Sequence, residues 1–260
     1  MPRLIVEREG PIATIRISNP AKYNAMTLTM WRALPQELQA LDADESVRVI
    51  ILEGDGDKAF VSGADISELE SHGSDAQSQL RFNQSIEEAY LSPIRCAKPV
   101  VAKIRGICMG GGLGLAAACD VRICTTQSRF RMPAARLGVG YTAIGVRRFL
   151  QVIGVQHTMD LFLSARILSA QQALAMGFVS QVCEADQLDA VVNEWCQKVA
   201  QNAPLTLRAL KMTVNDWLRD PTLHVNEAVE AAIQQCFDSA DYREGARAFM
   251  DKREPAFQGR

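Results

Sequence analysis

The chain has 260 residues, of which 28 are basic and 30 acidic, for a formal net charge of −2. That balance excludes a bulk field for nucleic acid or an anionic membrane surface, although a local basic patch can still hold a phosphorylated ligand. The length suits one α/β unit with a terminal extension, able to bury roughly three quarters of its unfolded surface. No apolar run approaches the ~18 residues of a membrane span. The opening MPRLIVEREG has neither a signal-peptide nor a transit-peptide pattern, so a cytoplasmic location is expected. The seven cysteines (Cys96, Cys108, Cys119, Cys124, Cys183, Cys196, Cys236) are scattered and lack CxxC spacing. They read as reduced core thiols rather than disulfides or zinc ligands, and no metal is expected.

In chain order, LIVERE and IATIRI flank Gly10-Pro11 and read as a hairpin. Thr27 to Ala43 places Leu28, Trp31, Leu34, Leu38 and Leu41 on one helical face. Pro35 inside that helix is expected to kink it or to cost ~3 kcal/mol. VRVIILEG and PVVAKIRG read as buried strands, Ser74 to Ile94 as a polar helix, and VRICTT and RFRM as further strands. From about Ile144 the pattern is almost wholly helical, with segments near 144–153, 156–163, 170–176, 186–202, 204–218, 222–237 and 239–252. No Pro/Gly/Ser-rich linker divides the chain. One structural unit is expected, with residues 1–200 as its core and 201–260 as a helical region for self-association. The small and apolar residues of FLSARILSAQQALAMGFVSQV and EAVEAAIQQCF suit either internal core or a subunit interface.

Two glycine-bearing turns carry the chemistry. GICMGGGLGLAAACD (Gly106 to Asp120) opens a short apolar helix straight after a strand, and FVSGADISEL (Phe60 to Leu69) leads into a polar helical start. Glycine lets backbone approach a ligand, and the first turn of a helix leaves its N–H groups without internal partners. The helix dipole favours negative charge there. Two converging N–H groups of this kind make an oxyanion hole, so the expected ligand is a thioester.

FVSGADISEL, the run from Gly110 to Asp120, FRMPAARLGVG, LSAQQALAMGFVSQV and the ending YREGARAFMDKREPAF resemble the crotonase superfamily, that is, the enoyl-CoA hydratase/isomerase family. The resemblance runs in one order from about Asn19 to Phe257. It implies an α/β spiral of ββα units with two nearly perpendicular sheets, and C-terminal helices that build a homotrimer or a dimer of trimers. The implied ligand is a coenzyme A thioester, with coenzyme A as part of the substrate and no separate cofactor. It implies backbone oxyanion donors at Ala64 and Gly111. Lys22, Tyr23 and Asn24 match the segment that lines adenine and pantetheine, and Ala64, Asp65 and Ile66 the thioester end. Gly110 and Pro133 fall in the matching site runs. Phe249 and Lys252 match residues that approach the nucleotide, often from a neighbouring subunit, where a lysine is a point charge for phosphate.

The chain departs from that pattern at two positions. Family hydratases use two glutamates, at positions that are here Gly114 and Ala134, and the spacing of 20 between them is retained. Hydration needs one carboxylate to activate water and an acid to deliver the α-proton. Glycine and alanine do neither.

The remaining candidates are few. Asp65 reads as a turn or capping residue and Asp120 as a strand-start residue. Glu68 and Glu70 read as solvated, and His72, His157 and His224 form no metal-like cluster. Arg136 suits a surface ion pair or recognition of a substrate carboxylate. Tyr141, in LGVGYT, resembles a tyrosine of methylmalonyl-CoA decarboxylase in this superfamily, although that enzyme keeps a glutamate at the place of Gly114 and a histidine at that of Ala64. The alternative for Tyr141 is a buried aromatic with a satisfied hydroxyl. Three readings follow: an enolate-stabilising isomerase, decarboxylase or atypical hydratase; a non-catalytic acyl-CoA-binding protein; or a scaffold or RNA-binding member, which the charge disfavours.

Overall fold

The computed structural model describes residues 1–65, 67–68, 76–219 and 226–260. The expected hairpin is present: β1 (Arg3–Glu9) pairs antiparallel with β2 (Ile12–Ser18). Gly10 turns the chain at φ +56, a left-handed value that glycine adopts without strain. Helix α1 (Leu28–Ala43) starts at Thr27, whose side chain accepts the Met30 N–H. Its buried stripe is Met30, Trp31, Leu34, Leu38 and Leu41.

From there the chain alternates between two sheets. Strand β3 (Val49–Gly54) is followed by β4 (Ala59–Val61) and α2 (Ala76–Arg95). Strands β5 (Val100–Ile104) and β6 (Ile107–Met109) precede α3 (Gly111–Ala118). Strands β7 (Val121–Thr125) and β8 (Arg129–Arg131) precede the single turn α4 (Ala134–Leu137). Each such strand pair gives one strand to a larger sheet and one to a smaller sheet, then a helix, which is a ββα spiral. Helix α5 (Ala143–Ser164) follows, then β9 (Leu168–Ser169), α6 (Ala170–Ala175) and β10 (Gln181–Cys183). The larger sheet has the order β1-β2-β3-β5-β7-β10 and the smaller β4-β6-β8-β9. Beyond the first hairpin the larger sheet is parallel; the smaller is parallel except for β8 against β9.

The chain ends in α7 (Leu188–Ala200), α8 (Pro204–Arg219), α9 (Glu227–Asp238) and α10 (Ala240–Asp251). Lys211 ties α8 to the spiral, donating to Pro93 O, Lys98 O and Asp120 Oδ2. The main core lies between the two sheets, α1 and α3, around Trp31, Phe60, Phe130 and Phe149. A second cluster packs α7 against the other face of the larger sheet. No helix among the described residues is long and apolar enough to cross a membrane.

The structure adds to the expected pattern at three places. The region after Ile144 is not wholly helical, because β9 and β10 complete the edges of the two sheets; at two and three residues they are too short for a periodic signal. The three-residue strands β4 and β6 escape a periodicity reading for the same reason. Helix α1 continues through Pro35, with Leu34 and Leu38 fully buried on either side. Burial of that stripe offsets the lost hydrogen bond to Trp31 O. By contrast, Gly154, at φ +71 and ψ 175, breaks α5 between the two helical segments read from sequence.

Candidate functional site

Two glycine turns face each other beside Trp31. After β4, Gly63 adopts φ +126. Met26 N–H donates to Gly63 O and Asp65 N–H donates to Met26 O, each at 2.9 Å. That bridge uses the groups on either side of the Ala64 N–H and leaves it out of the ladder. After β6, Gly110 adopts φ +53 and ψ −120, a combination open only to glycine, and makes Gly111 the first residue of α3. A first helical residue has no intrahelical acceptor for its N–H. A Cβ placed on Gly111 would lie 3.6 Å from Ala64 N and 3.0 Å from the Trp31 ring, so the two donors are close neighbours on an aromatic platform. Among the described residues neither N–H has an acceptor.

Both donors line a cavity of about 630 Å³ that also takes in Ser62, Pro133, Ala134 and Tyr141. Helix α2 supplies Gln79, Phe82, Asn83, Ile86 and Tyr90, and the stretch after α4 supplies Leu137 to Thr142. Among the described lining residues there is no Asp, Glu, His, Cys, Lys or Arg. A second cavity of about 620 Å³ lies between α8, α9 and α10 and is lined mostly by apolar side chains. The first has the chemistry.

The place of a side chain at position 114 is already filled. A Cβ on Gly114 would come within 2.6 Å of Tyr90 Cζ and of its hydroxyl, and closer still to the Tyr141 hydroxyl. The two phenols lie 3.0 Å apart, oxygen to oxygen, and Tyr90 donates to Gly111 O at 3.2 Å. A phenol has one proton. With that of Tyr90 given to Gly111 O, Tyr141 must be the donor between the two hydroxyls. Tyr141 is wedged by Phe149 and Phe162, at ring centroid distances of 6.3 and 5.2 Å. Burial raises both phenol pKa values above the ordinary tyrosine value, and the hydrogen bond that Tyr141 donates raises its own further. Both are neutral at physiological pH. They can orient a ligand but cannot act as bases.

The other expected site residues are divided. Lys22 and Tyr23 run beside the first turn: Ser62 N–H donates to Tyr23 O at 3.1 Å and Ser62 Oγ to Lys22 O at 3.1 Å. Lys22 Nζ is paired with Asp65 Oδ2 at 2.7 Å. Asp65 also accepts from Ser67 N–H and Oγ, as a turn residue does. Desolvation raises its pKa, but the bonds from Lys22 and Ser67 outweigh this and hold the carboxyl below its usual range.

The Asn24 side chain is 1 % exposed, accepting from Asn19 N–H and donating to Asp55 O and Ala59 O. It fastens the loop. Glu68 is not simply solvated, because its Oε2 accepts the Leu28 N–H at 2.6 Å at the N-terminus of α1, where the dipole favours a carboxylate. Asp120 is structural, accepting from Val100 N–H and Lys211.

Arg136 is exposed and makes no ion pair with a described residue. His157 is half-buried on α5, outside the cavity. Phe249, 83 % exposed, and Lys252 lie at the end of α10 and do not line this chain's cavity. Ile66, Glu70, His72 and His224 lie outside the described residues. Sequence reasoning missed the contribution of α2. Residues 79, 83, 86 and 90 follow the 3–4 spacing of one helical face, and that stripe was the available signal.

The sequence model of the enoyl-CoA hydratase/isomerase family matches residues 7–260. A short-chain-enoyl-CoA hydratase of Clostridium acetobutylicum is 28 % identical over 250 residues, 96 % of this chain and 95 % of that protein. The methylmalonyl-CoA decarboxylase of Escherichia coli is 28 % identical over 250 residues, 95 % of each chain. Among solved structures, an enoyl-CoA hydratase/carnithine racemase from Magnetospirillum magneticum superposes with a TM-score of 0.95 at 35 % identity, covering 100 % of this chain and 97 % of that one. With a family match over almost its whole length and a shared two-sheet α/β fold, the chain belongs to the enoyl-CoA hydratase/isomerase family.

Proposed function

We propose that the protein converts an acyl-CoA thioester through an enolate without a pair of acid/base carboxylates, and that its reaction is decarboxylation of a malonyl-type thioester. One observation carries this: two neutral phenols occupy the volume that a glutamate at position 114 would need. Isomerisation and hydration both require a base, and among the described lining residues there is none. Decarboxylation requires none.

In this reading the thioester oxygen accepts hydrogen bonds from the N–H groups of Ala64 and Gly111. The bond from Cα to the carboxylate breaks and CO2 leaves. The electron pair passes through Cα onto the thioester oxygen, where the two N–H groups stabilise it. A proton from solvent then adds to Cα. Tyr141 turns its hydroxyl from Tyr90 to the substrate carboxylate and holds it for departure. Lys22, Tyr23, Asp65, Gly110 and Pro133 flank the coenzyme A chain. Phe249 and Lys252 reach the nucleotide of a neighbour in a homotrimer or dimer of trimers.

The clostridial relative's name favours a second reading, hydration through non-standard groups. Tyr141→Phe distinguishes them. The expected variant keeps its melting temperature and its acetyl-CoA affinity but releases CO2 from malonyl-type thioesters at least ~10-fold more slowly. Full activity in the variant contradicts the role given to Tyr141. Binding with no turnover of malonyl-type, 3-enoyl or 2-enoyl thioesters by the parent protein would leave only an acyl-CoA-binding function.

A further inference from the structure

We infer that Arg122 and Arg148 form a cationic cap on the C-terminal end of α3 that strengthens anion stabilisation at its N-terminal end. The inference rests on the enolate reading above. Helix α3 presents the Gly111 N–H at one end and is buried from Gly112 to Ala118. At the other end Arg122 Nη1 donates to Cys119 O at 2.7 Å and Ala116 O at 3.3 Å, while its Nε donates to Phe178 O. Arg148 Nε donates to Ala117 O at 2.8 Å and its Nη2 to Cys119 O at 3.3 Å.

Two guanidinium groups therefore serve the last carbonyls of one eight-residue helix, and neither pairs with a carboxylate among the described residues. The carboxylate facing them is Asp120, which favours both cations but is ion-paired with Lys211 Nζ at 2.6 Å, so three cations share one carboxylate. Desolvation lowers the pKa of each, that of Arg122 to about 10, so both are cations at neutral pH.

Capping alone does not call for this. Buried charge is costly to desolvate, and neutral donors or one cation could satisfy the same carbonyls. The arrangement makes sense if negative charge develops on the same axis. Gly111 and Cys119 are separated by about 12 Å along the helix. At an effective dielectric of ~20, a unit charge at that range favours an enolate over a neutral thioester by roughly 5–10-fold. These are positioning residues that act through the field of α3 and never touch the substrate.

The test uses Arg148, which is half-buried, rather than the fully buried Arg122. The carbonyl stretch of 13C-labelled acetyl-CoA is recorded free and bound to the parent protein, Arg148→Met and Arg148→Lys, with melting followed in parallel. The parent should lower the stretch. Arg148→Met should bind acetyl-CoA within about twofold of the parent yet give back part of that lowering, and Arg148→Lys should retain it. On a malonyl-type thioester, Arg148→Met should lose roughly 5–10-fold in kcat at unchanged KM. If Arg148→Met does not fold, Arg148→Gln, an uncharged donor to the same carbonyls, is read in its place. An unaltered shift in the folded uncharged variant overturns the cap, as does equal loss in the lysine variant. No shift in the parent overturns the oxyanion hole itself, a separate outcome.

Discussion

At the scale of single residues, what position 114 can carry is a matter of volume as much as chemistry. Tyr90 and Tyr141 occupy the space into which a side chain at 114 would grow, so Gly114→Glu must displace rings that are themselves packed on Trp31, Phe149 and Phe162. Overpacking of this kind costs about 3 kcal/mol. Chemical denaturation of Gly114→Glu should show that loss, and Gly114→Glu/Tyr141→Ala should recover part of it; additive destabilisation would contradict the shared volume. The glycine and the tyrosine are 27 positions apart in the chain. Their separate oddities were legible in the sequence, whereas the contact was not, because it depends on α5 turning Tyr141 back onto α3. Tyr90 was hidden for a different reason: it belongs to a helix whose polar composition draws attention away from its inward stripe.

At the scale of elements, the site depends on how two strands end. Gly63 and Gly110 hold backbone conformations unfavourable for L side chains, and each sets an N–H free at the cavity. Placing alanine at Gly110 forces either strain of ~1–3 kcal/mol or a rotated turn. Gly110→Ala should therefore weaken acetyl-CoA binding at least ~10-fold in calorimetric titration; unchanged affinity would remove the oxyanion turn from binding. These turns could be read from the sequence because glycine at a strand-to-helix junction has a strong local meaning. The hairpin, α1 and the buried strands were equally readable from their periodicity. The strands β4, β6, β9 and β10 were not, since each is defined by its partner across a sheet rather than by its own two or three residues.

At the scale of the whole molecule, two properties follow from what is buried and what is not. The last three helices leave Leu210, Trp217, Phe237, Phe249 and Met250 exposed, and α5 leaves Val155 and Leu163. Exposed apolar side chains on these helices are what a subunit interface would cover. Sedimentation should give three or six times the chain mass of 28.6 kDa, and a monomer at micromolar concentration would remove the neighbour's role for Phe249 and Lys252. Burial also pushes the thiols of Cys96, Cys119, Cys124 and Cys196 up to about 12, and that of Cys108 well above its ordinary value. Unfolded thiols ionise near pH ~8.5. Above that pH the unfolded chain loses protons that the folded chain keeps, so these groups lower stability as pH rises toward 12 and leave it unaffected below 8. Urea unfolding at pH 8 and pH 10 under reducing conditions should show the fall. Equal stability at both values would mean that the thiols are accessible in the native state.

The most direct test of the account compares two turnovers of the unmodified protein: CO2 release from malonyl-type thioesters, and hydration of crotonyl-CoA followed at the enoyl absorbance. A positioned acid or base contributes ~10²–10⁴-fold, so a site without the carboxylate pair should hydrate at least ~10³-fold more slowly than a relative that bears both. Decarboxylation should be the faster of the two reactions. Hydration at ordinary hydratase rates with no CO2 release would show that another group supplies the base, and would contradict the account.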